Sequence, residues 1–499
     1  MNLITGMTAC CHSQKPYRLS PSLIFLSFSA YTLLLFIVSW ITARRSSNIS
    51  FFLGDRISPW FVVAYGMIGA SLSGVTFISI PGDVGSTNFS YMVIVIGYLF
   101  GYIIIANVLL PLYYKLQLTS IYSYLEQRFG FWSYKTGAFF FLLSRIIGAS
   151  FRMFLVVNVL QIFVFDAWGI PFWVTVTCFI ILIMLYTFRG GIKTIVWTDM
   201  LQTTFMLLSL VITVIMIARG LGVSLSELVN MVNDSKFSQF TYWEWQHKHF
   251  ILKDLLAGAF IAVVMTGLDQ DMMQKNLSCR NLKDARKNMY WLATSLIPVN
   301  LLFLFLGASL FIYAANTGVA IPELTDDLFP TIALKHLGPL AGLVFIIGLI
   351  AAAYSSADSA LTALTTSFSV DILGIQKRTD LTEKKKIRIR YLVHAGVAAS
   401  VLMVIIIFRA INDQSVISKL FTIAGYTYGP LLGIYAFGLL TRLRLKDRLV
   451  PLVAILSPLI CYLLSIYDQD ILNGYNFGFE LLVVNGLLTF TGLFIIHRK

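Results

Sequence analysis

Apolar residues fill about 13 runs separated by short polar breaks: 22–43, 60–83, 89–114, 136–164, 170–188, 195–218, 255–274, 288–315, 339–372, 391–409, 416–440, 449–467 and 478–496. Most are long enough as helices to cross roughly 30 Å of hydrocarbon at about 1.5 Å rise per residue. Two runs are interrupted. The run 60–83 contains Gly66, Gly69, Gly74 and then Pro81-Gly82, and the run 255–274 contains Gly258 and Gly267 and then Asp269-Gln270-Asp271. They are the second and seventh runs, five apart. Broken helices at corresponding positions of two five-helix repeats are the sequence mark of a secondary transporter with its site at the membrane midplane.

The ninth run carries a polar seam: Ser355, Ser356, Asp358, Ser359, Thr362, Thr365 and Thr366. Positions 355, 358, 359, 362 and 366 follow i, i+3, i+4, i+7 spacing and share one helix face. A carboxylate in hydrocarbon needs a partner, and oxygen-only side chains suit a hard cation. The bland reading of the serines is close helix packing.

Composition narrows the class. Of 499 residues, 58% are hydrophobic and 12% charged, which excludes a soluble globular protein. The run at 22–43 follows a polar leader, residues 1–21, with no small-residue cleavage site, so it reads as a retained helix. The net charge of +13 reports topology and not nucleic acid. Lys and Arg concentrate in alternate loops, 44–59, 115–135, 189–193, 275–287, 373–390 and 441–448, while Glu227, Asp234, Glu244, Glu323, Asp326, Asp327, Asp413, Asp468 and Asp470 lie on the other side. The positive-inside rule then puts the leader outside and the C-terminus in the cytoplasm, at the plasma or inner membrane. The run from Lys384 to Arg390 becomes a cytoplasmic anchor. The segment 219–254, with Trp243, Trp245, His247 and His249, reads as a short amphipathic cap whose histidines are solvated. Cys10, Cys11, Cys178, Cys279 and Cys461 are scattered and odd in number, so neither a disulfide framework nor a metal cluster is expected. No Gly-x-x-x-x-Gly-Lys-Ser/Thr segment is present, which argues against ATP drive and leaves an ion gradient.

Five segments carry a family resemblance: 69–82 (GASLSGVTFISIPG), 189–199 (RGGIKTIVWTD), 268–275 (LDQDMMQK), 352–359 (AAYSSADS) and 425–433 (GYTYGPLLG). Together, in order and on the expected runs, they resemble the solute:sodium symporter family. The resemblance implies an all-α integral membrane fold of the leucine-transporter type, with about 13 helices and two inverted five-helix repeats. Repeat one spans 60–218 and repeat two 255–440, with helices two and seven discontinuous. One helix (22–43) precedes the repeats and two C-terminal helices (449–496) follow, within a single transporter domain, 22–499. It also implies Na+ as coupling ion, a main sodium site from backbone near Gly69, Leu72 and Ala352 with the hydroxyls of Ser355 and Ser356, and a second cation site from Asp199, Asp358 and Ser359. Asp358 stands where some relatives have serine, so a proton is an alternative occupant there. Asp199 has a helix-cap reading.

Arg145 and Arg152 in the fourth run are seven residues apart, two turns on one face. A buried arginine demands an anion, a carbonyl or an aromatic partner. Sialic-acid-transporting relatives use an arginine on this helix, which makes Arg145 the expected contact to an anionic substrate; an internal salt bridge to Asp358 or Asp269, or outward snorkelling of Arg152, is the alternative. By position, Ser73, Thr76 and Phe77, Asp269 and Gln270, Ser295, and Tyr426 or Tyr428 are further cavity candidates, while Gln274 and Lys275 read as a cytoplasmic gate or anchor. The resulting expectation is a sodium-coupled symporter that imports a carboxylate or acidic sugar, with no enzymatic activity, no nucleic acid and no obligate protein partner. A neutral-sugar symporter or a proton-coupled carrier or uniporter on the same fold are the rivals. A transport-like sensor is least favoured, because the sequence shows no output domain.

Overall fold

The computed structural model describes residues 20–42, 48–411, 416–467 and 477–498. Cys10, Cys11, nearly all of the 1–21 leader, Asp413, Asp468 and Asp470 lie outside the described residues. The principal helices are α1 (Pro21–Thr42), α2 (Trp60–Thr87), α3 (Tyr91–Lys115), α4 (Phe131–Trp168), α5 (Phe172–Gly190), α6 (Ile192–Leu221), α7 (Ile251–Gly267 with Gln270–Leu277), α8 (Leu282–Thr317), α9 (Pro339–Ile372), α10 (Glu383–Ile411), α11 (Val416–Leu440), α12 (Val450–Ile466) and α13 (Leu481–Ile495). Among the described residues ten are long and apolar enough to cross a membrane, and eleven when the bent pair of α7 is one span. α5 and α13 are apolar but shorter.

The polarity is arranged for a lipid solvent. Large apolar side chains such as Phe100, Ile103, Leu459, Leu463 and Phe494 face outward, while Asp199, Asp271, Lys275 and Asp358 are buried in the protein. Hydrocarbon gives no hydrophobic reason to hide leucine, but it heavily penalises an exposed charge, so the charges gather inside. Helix ends in the connecting segments are satisfied locally. Leu225–Asn233 starts with a capping box between Ser224 and Glu227, inside the segment expected to form a cap. Asn281 Oδ1 accepts from Asp284 N at 2.9 Å to start α8. His247 stacks on Tyr242, and His249 meets Asp254 at 3.2 Å. The described cysteines, Cys178, Cys279 and Cys461, are free.

The centre is built around α9, which packs against α2, α4 and α6. α2 reaches α6 closely because Gly69 has no Cβ: one added there would overlap the Thr203 hydroxyl. The Gly69 N–H instead donates to Thr203 Oγ1 at 3.2 Å.

Candidate functional site

Both expected breaks are present. In α2 the break falls at Ser73, which has φ 51° and ψ 173°, and Pro81 stays within helix. A non-glycine residue held in that region costs on the order of 1–3 kcal/mol, and such strain concentrates at functional sites. In α7 the two halves meet at 64°. Asp269 caps the second half, its Oδ1 accepting from Asp271 N at 2.9 Å and from Met272 N at 3.4 Å. Its Oδ2 accepts from Tyr428 OH at 2.6 Å. Breaking a helix leaves carbonyls and N–H groups for other partners in a place where water is scarce.

The seam of α9 divides among several neighbours. Ser355 Oγ donates to Asp199 Oδ1 of α6 at 2.8 Å. Asp358 accepts from Tyr186 OH of α5 at 2.8 Å and from Ser359 N at 2.6 Å. Thr365 Oγ1 meets His394 Nδ1 of α10 at 2.8 Å, and Thr366 Oγ1 accepts from Gln274 Nε2 of α7 at 3.0 Å. Two hydroxyls of the seam, Ser356 Oγ and Thr362 Oγ1, are buried with no hydrogen-bond partner among the described residues. A buried unmet hydroxyl costs about 1–3 kcal/mol, and a hard cation takes such oxygens as ligands. The backbone positions Gly69, Leu72 and Ala352 are all buried on the two helices concerned. The residue chemistry therefore fits sodium as cargo at the first expected site.

The second expected site already holds a cation. Asp199 Oδ2 faces the Lys275 ammonium at 2.7 Å, and both side chains are 1% exposed. Lys275, expected as a cytoplasmic gate or anchor, is fully buried on the second half of α7, where it faces a carboxylate of α6. Gln202 stands between the two carboxylates of this region: its amide reaches Asp358 Oδ2 at 3.4 Å, and Asp199 Oδ1 at 3.1 Å with the amide turned over.

A cavity of about 80 Å³ lies beside the α2 break, lined by Ser73 and Thr76 of α2, Tyr91, Tyr98 and Tyr102 of α3, Arg145 and Arg152 of α4, Thr266 of α7 and Asn300 of α8. The two arginines differ in kind. Arg145 is ion-paired with Asp271, and its Nη1 lies 3.8 Å from Asp269 Oδ2. Arg152 is 8% exposed, and neither a hydrogen bond nor an ion pair engages it among the described residues. Arg145 takes an internal salt bridge while also lining the cavity, and the Arg152 guanidinium has none among the described residues.

The other candidates separate. Ser73 and Thr76 line the cavity; Asp269 borders it through Arg145. Phe77 is fully buried between Phe329 and Phe345, at ring distances of 5.3 and 5.7 Å. Gln270 pins the α3–α4 connection, accepting from Ile121 N and donating to Thr119 O, each at 2.9 Å. Ser295 lies elsewhere, on an apolar groove of about 540 Å³ with Trp60, Phe61 and Trp291. Tyr426 OH pairs with Ser465 of α12 at 2.7 Å, so Tyr428 is the tyrosine of α11 that turns inward. Asp271 and Lys275 had a signal in the sequence: four apart and of opposite charge at the end of an apolar run, they had to find partners.

Within the cluster, four buried carboxylates (Asp199, Asp269, Asp271, Asp358) face three buried cations (Arg145, Arg152, Lys275). With all seven groups ionised, the cluster carries a net charge of −1.

Residues 51–445 match the family model described as the Sodium:solute symporter family. The Sodium/sialic acid symporter SiaT of Proteus mirabilis (strain HI4320) is 25% identical over 462 residues, covering 90% of this chain and 90% of its own length. Sodium-coupled monocarboxylate transporter 1 of Mus musculus is 26% identical over 416 residues, 79% of this chain and 65% of its own. The solved substrate-bound, outward-open structure of a Na+-coupled sialic acid symporter superposes with a TM-score of 0.81 at 22% identity, over 96% of this chain and 99% of that one, a likeness of fold.

Proposed function

The chain belongs to the sodium:solute symporter family, and from that premise we propose which solute it carries and how its residues divide the work. It is a multi-pass membrane protein and a sodium-coupled symporter of small organic solutes, with transport and not catalysis as its activity. The proposed substrate is an anion with a carboxylate, of the acidic-sugar or monocarboxylate kind. The observation that carries this reading is the unengaged Arg152 guanidinium on the wall of a cavity at the α2 break. A guanidinium fork binds a carboxylate through two parallel hydrogen bonds, and with no internal partner it has that geometry to offer. Ser73 and Thr76 of α2 and Asn300 of α8 supply hydroxyls and an amide for the rest of the solute. The relatives named for sialic acid and for monocarboxylates agree with this class.

In the proposed cycle, one sodium ion binds where the buried Ser356 hydroxyl has no partner, with Ser355 and the backbone of Gly69, Leu72 and Ala352, and so ties broken α2 to α9. A second binds toward Asp199, Asp358 and Ser359. Solute then binds beside Arg152, and the two halves of the fold alternate access around it. The same reading makes α2–α6 and α7–α11 two inverted repeats within a single domain of 13 crossings, leader outside and C-terminus cytoplasmic, in the plasma or inner membrane. A thermal-shift screen of purified protein with and without sodium, across acidic sugars, monocarboxylates and neutral sugars, tests the class. Stabilisation by a neutral sugar and by no carboxylate overturns it.

A further inference from the structure

The buried charges form one continuous chain. Ser355 Oγ donates to Asp199 Oδ1 at 2.8 Å, and Asp199 Oδ2 faces Lys275 Nζ at 2.7 Å. Lys275 Nζ stands 3.9 Å from Asp271 Oδ1, and Asp271 Oδ2 holds Arg145, which lines the cavity. The chain thus starts at the polar seam of α9 and ends at the cavity wall.

Its middle link sits between two carboxylates, close to Asp199 and within reach of Asp271. Lys275 Nζ makes no well-directed hydrogen bond, and neither Asp199 Oδ2 nor Asp271 Oδ1 accepts one. An ammonium has three donors to place, and a carboxylate oxygen in an apolar interior is costly when unmet. Attraction to Asp199 at 2.7 Å holds the group, and Asp271 at 3.9 Å offers a second carboxylate one helical turn back on the same helix. A lysine is also a compact point charge on a flexible four-carbon stem, the side chain best able to trade places with a monovalent ion.

We propose that Lys275 is a tethered counter-cation that competes with sodium for Asp199. Without sodium its ammonium neutralises Asp199. Sodium arriving at Asp199 and Ser355 displaces it toward Asp271, the next carboxylate on its own helix. Lys275 then shares Asp271 with Arg145 and loosens the pair that fixes the cavity wall. Sodium occupancy is converted in this way into a change at the solute, and linkage requires the converse: solute that rearranges Arg145 alters sodium affinity by the same factor. The inference rests on the sodium reading of the α9 seam given above.

The test is a sodium titration of purified full-length protein, in choline-balanced buffer, followed by thermal shift and by intrinsic tryptophan fluorescence. With the competitor removed in K275M, half-saturating sodium falls by about tenfold, and the sodium-free protein melts earlier. K275Q carries the same expectation where K275M folds poorly, and K275R, which keeps the charge, stays nearer the wild-type value. Half-saturation unchanged or raised in both neutral variants overturns the competition. S356A separates the two ideas. If S356A weakens sodium binding while K275M and K275Q leave it unaltered, only the tethered cation is lost. If S356A has no effect, the seam reading fails with it.

Discussion

Asp271, on the second half of broken α7, is ion-paired with Arg145 of α4, while Arg152, two turns further along the same helix, has no such partner among the described residues. Two arginines that the sequence presents as equals therefore have different work. One is committed to holding α4 against α7, and the other is left facing the cavity.

Arg152→Gln is expected to reduce affinity for a carboxylate substrate by at least about tenfold, since a hydrogen bond to a charged group contributes on the order of 1.5–3 kcal/mol. Sodium-induced stabilisation without substrate is expected to persist. Equilibrium binding of the solute that emerges from the screen, beside a sodium thermal shift, reads both. Undiminished affinity in Arg152→Gln removes the anion site.

Arg145→Gln is expected to fail differently. It leaves Asp271 buried with its guanidinium partner gone, a loss of roughly 3–5 kcal/mol for a broken buried pair. The expected result is low yield and a markedly lower melting temperature in detergent. Asp271→Asn in the same background is expected to recover part of the stability. No recovery in the double variant would show that the pair is not what holds α4 to α7.

Ser356→Ala is expected to raise half-saturating sodium by about tenfold with little loss of stability, because the removed hydroxyl has no hydrogen bond to lose. Flux at saturating sodium is expected to return toward wild type. An unchanged sodium requirement makes the hydroxyl a packing feature.

Gly69→Ala is expected to cost about 1–3 kcal/mol by forcing α2 away from the Thr203 hydroxyl. Thr203→Ala alone loses the hydrogen bond from the Gly69 N–H, and the double variant is expected to melt above Gly69→Ala. Differential melting in one detergent checks the order.

Much of this architecture could be read from the chain. Run lengths located the helices, and the interruptions at 60–83 and 255–274 marked the helices that break. Where α2 breaks was less legible. Three glycines and Pro81 compete for the position, yet Ser73 takes the unusual backbone geometry and Pro81 remains helical. A proline in hydrocarbon can stay in a helix when its neighbours meet the freed groups. Spacing showed that Ser355, Asp358 and Thr362 share a face, because that is a property of one helix. It could not show that Asp199 would find Lys275, or that Asp271 would claim Arg145 and spare Arg152. Those pairings depend on how α4, α6 and α7 approach one another in three dimensions. Tyr426 and Tyr428 make the same point on α11, where a two-residue offset decides which hydroxyl reaches Asp269.

The odd carboxylate in the central cluster has an electrical consequence. With one negative charge in excess, the proposed load of two sodium ions and one monoanionic solute would make the carrier neutral at its core. Its inward passage then does not sense the membrane potential. The voltage acts on the other half of the cycle, when the emptied carrier brings its surplus negative charge back outward, a step favoured by about 2.3 kcal/mol per 100 mV of negative-inside potential. Charge movements recorded in sodium-free, solute-free solution would then report the return step directly, and neutralising Asp358 would silence them.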